Sequence, residues 1–135
     1  MADADNGYGN ALNVRRAVRA FERAGVAGVH IEDQQSPKRC GLLAGKALIP
    51  LAEMLSKVKA ALDARTDKDF LIVARTDAAH IDTFEEAMDR CHAFEEAGAD
   101  MLFIVPPLYL RWPSAVPATA DEEISTQPSA APEAA

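Results

Sequence analysis

The chain has 135 residues, of which 49% are hydrophobic, and a formal net charge of −7 at pH 7. This length suits a single domain, and the apolar fraction is large enough for a hydrophobic core. The acidic balance argues against nucleic acid and anionic membranes as partners, since neither attracts an acidic surface. No apolar run approaches the roughly 18 residues that span a bilayer. The start, Met1-Ala2-Asp3-Ala4-Asp5, lacks the features of a signal peptide. With two cysteines in unlike contexts, we expect a reducing, cytoplasmic setting.

The first half of the chain alternates helical and strand patterns. Apolar residues recur at helical spacing from Asn13 to Ala24, and Gly25 is placed to end that helix. The apolar run 27–31 predicts a buried strand that ends in the acidic pair Glu32-Asp33. After a polar loop, Pro50 is expected at the first position of a second helix.

The second half repeats this alternation. A second strand is predicted over 70–74, ending in Arg75-Thr76-Asp77, and a third over 101–105. Between them, Thr83 and Glu86 are spaced as in a capping box, in which the Thr hydroxyl accepts from the Glu amide and the Glu side chain reaches back. Continuous apolar strands are typical of a parallel sheet covered on both faces. We therefore predict an α/β fold that comprises about three to four units of a (β/α)8 TIM barrel.

Two of the predicted helix ends share a sequence pattern. Phe21-Glu22-Arg23-Ala24-Gly25 ends the first helix, and Phe94-Glu95-Glu96-Ala97-Gly98 ends the last. Each segment places a glycine directly before a buried strand, where a helix can stop. The separation of the two segments corresponds to about two βα units of a barrel, which gives modest support to an internal repeat.

The composition changes after Val105. Six of the eight prolines fall within 106–135, among Ala, Ser, Thr and acidic residues. Such a segment does not bury enough apolar surface to offset its ordering entropy. We therefore predict a partial barrel over 1–105 and a disordered, Pro/Ala-rich tail over 106–135.

Charged residues follow the apolar strands, at the strand ends where parallel βα folds place their chemistry. Asp3 and Asp5 are two residues apart, so on an extended chain their carboxylates point the same way, beside Glu32. Such hard oxygen ligands suit Mg²⁺, with Mn²⁺ as an alternative, better than Zn²⁺. Arg75 offers a forked donor that suits a substrate carboxylate. The alternative is that these charges cap strands and face solvent.

A basic loop, Pro37-Lys38-Arg39-Cys40-Gly41, is the second candidate region. Two adjacent cations favour the thiolate form of Cys40, which could then serve as a proton donor, a proton acceptor or a nucleophile. The alternative is an exposed loop cysteine beside ordinary surface cations. Cys91 is predicted to lie in the core. His30 is predicted to be a core histidine with its hydrogen bonds satisfied, and the alternative is a site residue. Gly7-Tyr8-Gly9 is expected to form a tight turn beneath the metal site.

Four segments together resemble the isocitrate lyase/phosphoenolpyruvate mutase superfamily, with methylisocitrate and dimethylmalate lyases as the closest branch. They are Asp3-Ala4-Asp5-Asn6-Gly7-Tyr8-Gly9, His30-Ile31-Glu32-Asp33-Gln34, Lys38-Arg39-Cys40-Gly41 and Ala74-Arg75-Thr76-Asp77. The resemblance runs from Ala2 to about Phe103. It implies a (β/α)8 barrel that uses Mg²⁺ to cleave or form a carbon–carbon bond next to a carboxylate, on a substrate such as 2-methylisocitrate.

The resemblance also implies roles for individual residues. It identifies Asp3, Asp5 and Glu32 with the magnesium site, and Arg75 with the arginine that binds the substrate carboxylate and steadies the developing enolate. It identifies Cys40 with a lid cysteine that acts as acid or base. The remaining loop residues expected to bind substrate are Lys38, Arg39 and Gly41. The resemblance further implies that full-length relatives are homo-oligomers, while the oligomeric state of this chain stays open.

The sequence departs from the family pattern at two positions. Leu42 stands where the lid commonly continues with histidine, and Val105 stands where a glutamate normally follows the strand. Further βα units of the family barrel are not represented, and so few strands cannot close a barrel, which leaves open edges and an uncovered apolar face. The alternative function is therefore an inactive fragment, or a half barrel that acts as a binding or assembly module.

Overall fold

Four parallel strands form one sheet in the sequential order β1-β2-β3-β4. In this computed structural model, which describes residues 1–40 and 45–106, the strands are β1 Ala2–Asp3, β2 Gly28–Glu32, β3 Leu71–Thr76 and β4 Met101–Ile104. The helices between them are α1 Ala11–Arg23, α2 Leu51–Ala64, α3 Ala78–Ile81 and α4 Phe84–Glu96. Neighbouring strands joined through helices form the repeating unit of a βα barrel. The prediction of an α/β fold with a partial barrel is confirmed.

The predicted tail over 106–135 lies outside the described residues except for Pro106, so its disorder and the domain boundary stay predictions. Among the described parts of the chain, no helix is long and apolar enough to cross a membrane.

The two helix ends that share a sequence pattern also share a structure. Gly25 has φ +80° and Gly98 has φ +98°, and each directly follows the C-cap residue of its helix. The Val26 amide donates to the Phe21 carbonyl at 3.1 Å, and the Ala99 amide donates to the Phe94 carbonyl at 3.0 Å. These are the backbone bonds of the Schellman motif, which requires a left-handed residue and therefore favours glycine.

The helix starts are fixed by side-chain caps where the sequence offers them. Asn10 accepts hydrogen bonds from the Leu12 and Asn13 amides and so begins α1, a cap that the sequence analysis missed. At α4 the Thr83 hydroxyl accepts from the Glu86 amide at 3.0 Å, as predicted. The Glu86 carboxylate does not reach back to the start of the helix but accepts from Arg90 Nε at 2.8 Å. The prediction of the second bond of the capping box is therefore wrong.

One face of the sheet packs against the helices and the other carries the charged residues. The main core cluster joins α1, α2 and that covered face, and it includes Val14, Val18, Val29, Ile31, Met54, Val58 and Ile72. Because side chains alternate along a strand, His30 and Glu32 lie on the opposite face from Val29 and Ile31. The same alternation places Asp3, Arg75 and Phe103 beside them through the strand register.

Coverage of the last strand differs from the prediction. Met101, Leu102 and Phe103 are 49%, 39% and 43% exposed. The expectation that all three predicted strands are covered on both faces is therefore wrong for β4, which has one paired neighbour, β3. The expectation of an uncovered apolar face is confirmed at this edge.

The chain turns sharply directly after β1 and does not continue in an extended conformation. Asp5 has φ +49°, so the expectation that Asp3 and Asp5 continue one extended segment is wrong. Its amide donates to Asp3 Oδ1 at 2.8 Å. Gly7, at φ +81°, follows directly against the core, where an added Cβ would collide with Val14. The predicted tight turn is confirmed, and its glycine is required both by φ and by space.

Gly7→Ala should destabilise the fold more than Gly25→Ala, which is a matched control. Both positions have φ near +80°, but a Cβ at Gly25 meets nothing within 4 Å. We expect Gly25→Ala to cost about 1 kcal/mol from backbone strain alone. Gly7→Ala should cost about 3 kcal/mol because overpacking adds to that strain. Urea unfolding followed by circular dichroism measures both, and equal losses would contradict the packing argument.

Candidate functional site

Strand register brings the charged residues together. In the β1–β2 ladder Asp3 is paired with His30, and in the β2–β3 ladder Glu32 is paired with Arg75. In a parallel sheet all carboxyl ends lie at one edge. Side chains that are far apart along the chain therefore become neighbours at that edge.

Three carboxylates lie around one ammonium group. Lys38 Nζ is 3.4 Å from Asp3 Oδ2 and 3.8 Å from Glu32 Oε1, and it also contacts the Asp5 carboxylate. Asp3, Asp5 and Glu32, called the acidic cluster below, are the residues predicted to hold the metal. The structure thus brings them to a common cation, although Asp5 reaches it from a turn rather than from a strand.

The electrostatics of Asp3 and Lys38 reflect this pairing. Burial raises the pKa of Asp3. The hydrogen bond from the Asp5 amide and the electrostatic interactions with His30 and Lys38 outweigh burial, so the pKa of Asp3 is lowered from its usual value. The pKa of Lys38 is raised, chiefly by its hydrogen bond to Asp5 and further by the charge of Glu32. Both groups therefore favour their charged forms.

Glu32 is the most constrained member of the acidic cluster. It is fully buried, and burial raises the pKa of its carboxyl group despite the opposing charges of Arg75 and Lys38. Arg75 Nη1 lies 3.2 Å from Oε2, yet among the described residues neither carboxylate oxygen has a hydrogen-bond partner of good geometry. A buried carboxylate in this state has unused coordination capacity.

Arg75 is held from several sides. Its Nε and Nη2 lie 3.2 and 3.4 Å from the two oxygens of Asp77. The ring of Phe103 lies 5.5 Å from its guanidinium carbon, within cation–π range. Lys46, whose side chain is 1% exposed, contacts Asp77 Oδ1 at 2.8 Å. Arg75 is therefore a preorganised donor at the sheet edge.

His30 does not lie in the core as predicted. Its side chain is 19% exposed, and Nε2 is 3.0 Å from Asp3 Oδ1, a close contact whose geometry is not that of a hydrogen bond. Its ring meets Phe103 edge-on at 6.4 Å. The correction follows from strand register, since His30 pairs with Asp3 on the charged face.

A buried network that sequence reasoning missed supports the edge. Asp33 Oδ2 accepts from the Thr76 hydroxyl at 2.6 Å and faces Arg90 Nη1 at 3.3 Å, while Oδ1 accepts from the Asp77 amide at 3.0 Å. Burial raises the pKa of Asp33. Asp33, Thr76 and Asp77 were recognised in the sequence as polar strand ends, but the bonds among them and the contribution of Arg90 were not predicted.

The basic loop is described up to its cysteine. Cys40 is exposed and has a free thiol, and Arg39 is exposed beside it. Cys91 is buried, as predicted, and burial raises the pKa of its thiol. Gly41 and Leu42 lie outside the described residues. Within residues 1–40 and 45–106, no contact ties the Cys40 thiol to the acidic cluster, so its catalytic role stays a prediction.

The donor set fits a divalent cation by chemistry but is not arranged around one. Mg²⁺ prefers carboxylate oxygens such as those of the acidic cluster, and the oxygens of Glu32 have no hydrogen-bond partner among the described residues. Within the described ranges 1–40 and 45–106, however, no three His, Cys, Asp or Glu side chains converge as a metal site. Lys38 takes the central position instead. A cation bound here would replace that ammonium group.

Comparison with known proteins decides the family. A family model for phosphoenolpyruvate phosphomutase matches residues 1–121. The chain belongs to the phosphoenolpyruvate phosphomutase family. The predicted resemblance is thereby confirmed at the level of the superfamily, which also includes isocitrate lyase.

Individual members of this family show the same relationship. The chain is 50% identical over 107 residues to 2,3-dimethylmalate lyase of Eubacterium barkeri, covering 79% of this chain and 37% of that protein. It is 48% identical over 103 residues to 2-methylisocitrate lyase of Shewanella oneidensis, covering 76% and 35%. This phosphomutase-family chain therefore spans about a third of the length of these relatives.

Solved structures agree with the fold. A crystal structure of 2,3-dimethylmalate lyase superimposes with a TM-score of 0.73 at 42% identity, over 76% of this chain and 35% of that one. A phosphonopyruvate hydrolase complex with oxalate and Mg²⁺ gives a TM-score of 0.68 at 39% identity, over the same shares.

Lys38→Met tests whether the acidic cluster depends on this ammonium group. Without this ammonium group the three carboxylates repel one another, and Glu32 loses one of the two positive charges that offset the cost of burying it. The free energy of unfolding at low salt should therefore fall by about 1 kcal/mol. Lys68→Met, an exposed lysine in a turn, is the control. Urea unfolding in EDTA measures the loss, which 1 M NaCl should reduce by screening. Equal stability of the two variants would argue against the pairing.

Proposed function

We propose that the chain carries the metal- and carboxylate-binding part of a Mg²⁺-dependent carbon–carbon bond lyase. Its substrate would be a 2-hydroxy di- or tricarboxylate of the 2-methylisocitrate type. The observation that carries this proposal is the placement of the acidic cluster beside Arg75 at adjacent strand ends, with Glu32 buried and its carboxylate oxygens without a hydrogen-bond partner among the described residues. The relatives named above include lyases for 2,3-dimethylmalate and 2-methylisocitrate.

Asp3, Asp5 and Glu32 would hold the cation. Bound there, Mg²⁺ (or Mn²⁺) would supply electrophilic stabilisation of the oxygens that gain charge during cleavage. Glu32 contributes a carboxylate that is already desolvated, and Asp3 contributes one that is kept ionised by its neighbours. The chemistry of this donor set supports the assignment.

Arg75 would bind a substrate carboxylate and steady negative charge on the enolate product. Asp77 and Glu32 fix the direction of its guanidinium group, so little side-chain entropy is lost when substrate binds. Lys38, Arg39 and Gly41 would contact the substrate from the loop. Lys38 would be free for this role once a metal ion takes its place in the acidic cluster.

Cys40 would complete the proton balance. The substrate hydroxyl would give its proton to solvent water as its oxygen becomes a carbonyl, and the carbon–carbon bond would break. The electron pair of that bond would pass to the carbon next to a carboxylate of the departing fragment, and the Cys40 thiol would protonate that carbon. The resulting thiolate would then regain a proton from solvent, which balances the proton that the hydroxyl released. An exposed loop thiol is suited to this step because it can approach the substrate from the solvent side.

Coupled detection of pyruvate released from 2-methylisocitrate, with and without EDTA, tests this proposal. Turnover that needs Mg²⁺ and falls at least about 100-fold in Cys40→Ala would support it, given the usual contribution of a general acid. Cys91→Ala, at the buried cysteine, is the control and should keep the wild-type rate. Turnover that is insensitive to EDTA, or to Cys40→Ala, would contradict it.

A second candidate function is a half barrel that acts as an assembly or binding module without turnover of its own. It is favoured by the exposed apolar residues of β4. Sedimentation should then give an assembly that Met101→Lys disrupts. Leu12→Lys, on exposed α1 surface, should leave it intact. A monodisperse monomer would exclude self-assembly.

A further inference from the structure

The segment that carries Lys38 and Cys40 is tied to the end of β2 by one buried side chain. Gln34 is 1% exposed. Its Nε2 donates to the Arg39 carbonyl at 3.1 Å, and its Oε1 accepts from the Arg39 amide at 3.0 Å. The amide of one side chain thus satisfies both backbone groups of the residue between Lys38 and Cys40, as a neighbouring strand would.

Gln34 is itself fixed from the other side. Its backbone forms an antiparallel bridge with Leu48, and its carbonyl lies 3.5 Å from Asn6 Nδ2. The next residue, Gln35, donates to the Ala47 carbonyl at 2.7 Å. A donor and an acceptor on a rigid buried base hold a loop more firmly than exposed hydrogen bonds, which compete with water.

We propose that Gln34 is a positioning residue: its side-chain amide fixes the backbone on which Lys38 and Cys40 stand, beside the acidic cluster. Lys38 supplies the cation of that cluster, and Cys40 follows Arg39 directly in the sequence. The link from Cys40 to catalysis rests on the proposed function, whereas the bonding of the Gln34 side chain to the Arg39 backbone does not.

Limited proteolysis with trypsin tests the hold directly, since trypsin cleaves after Lys38 and Arg39. Gln34→Met removes both hydrogen bonds at similar volume and should speed cleavage there about tenfold. Gln34→Glu keeps the acceptor for the Arg39 amide but sets an oxygen against its carbonyl, and should also accelerate cleavage. Gln35→Met, at the exposed neighbour, is the control and should cleave at the wild-type rate. Cleavage after Lys68, in a distant exposed turn, is the internal reference.

Acceleration confined to Lys38 and Arg39 supports the proposal, and wild-type rates in both Gln34 variants overturn it. Acceleration shared with Lys68 in both variants also overturns it, because Gln34 would then support the whole fold. Where the wild-type protein turns over substrate, Gln34→Met should lower kcat with little change in KM. A wild-type chain without turnover contradicts the proposed function alone, and the cleavage pattern still decides the role of Gln34.

Discussion

The site depends on one constraint: the parallel register of β2 and β3 sets Glu32 beside Arg75 on the charged face of the sheet. Burying a carboxylate is costly unless positive charge or hydrogen bonds compensate it. Arg75 supplies charge from one side and Lys38 from the other. Neither makes a hydrogen bond of good geometry to the Glu32 oxygens, which leaves that carboxylate with capacity for a cation.

The surrounding residues make this arrangement rigid. Asp77 orients the guanidinium group of Arg75, and Asp33 orients Asp77 through its amide. Arg90 brings α4 to the same network. The acidic cluster and its arginine therefore lie on strands and buried contacts, while Lys38 and Cys40 arrive on a loop. The backbone of that loop is bonded at Arg39 to the side chain of Gln34.

Local sequence signals predicted local structure well. Gly25 and Gly98 end their helices because a left-handed residue is needed there, and the apolar runs are the strands within one or two residues. The charged strand ends likewise predicted which residues meet. Tertiary contacts were harder to predict: His30 was misplaced because register decides its face, and Asp5 because its turn has positive φ. Lys46 gave no signal, since its contact with Asp77 exists only once distant segments pack. Gln34 stands within a segment of the family pattern, but its bonds to Arg39 depend on how the loop between them folds.

The central proposal is that the acidic cluster binds a divalent cation in place of Lys38. Loss of the free Mn²⁺ signal in electron paramagnetic resonance, as protein is added, tests it most directly. The account predicts one site in the wild-type chain that Glu32→Gln weakens by about tenfold or more. Glu85→Gln, at an exposed carboxylate on α4, should leave binding unchanged. A wild-type chain that leaves the free Mn²⁺ signal intact, or a Glu32→Gln variant that binds as tightly, would contradict the claim.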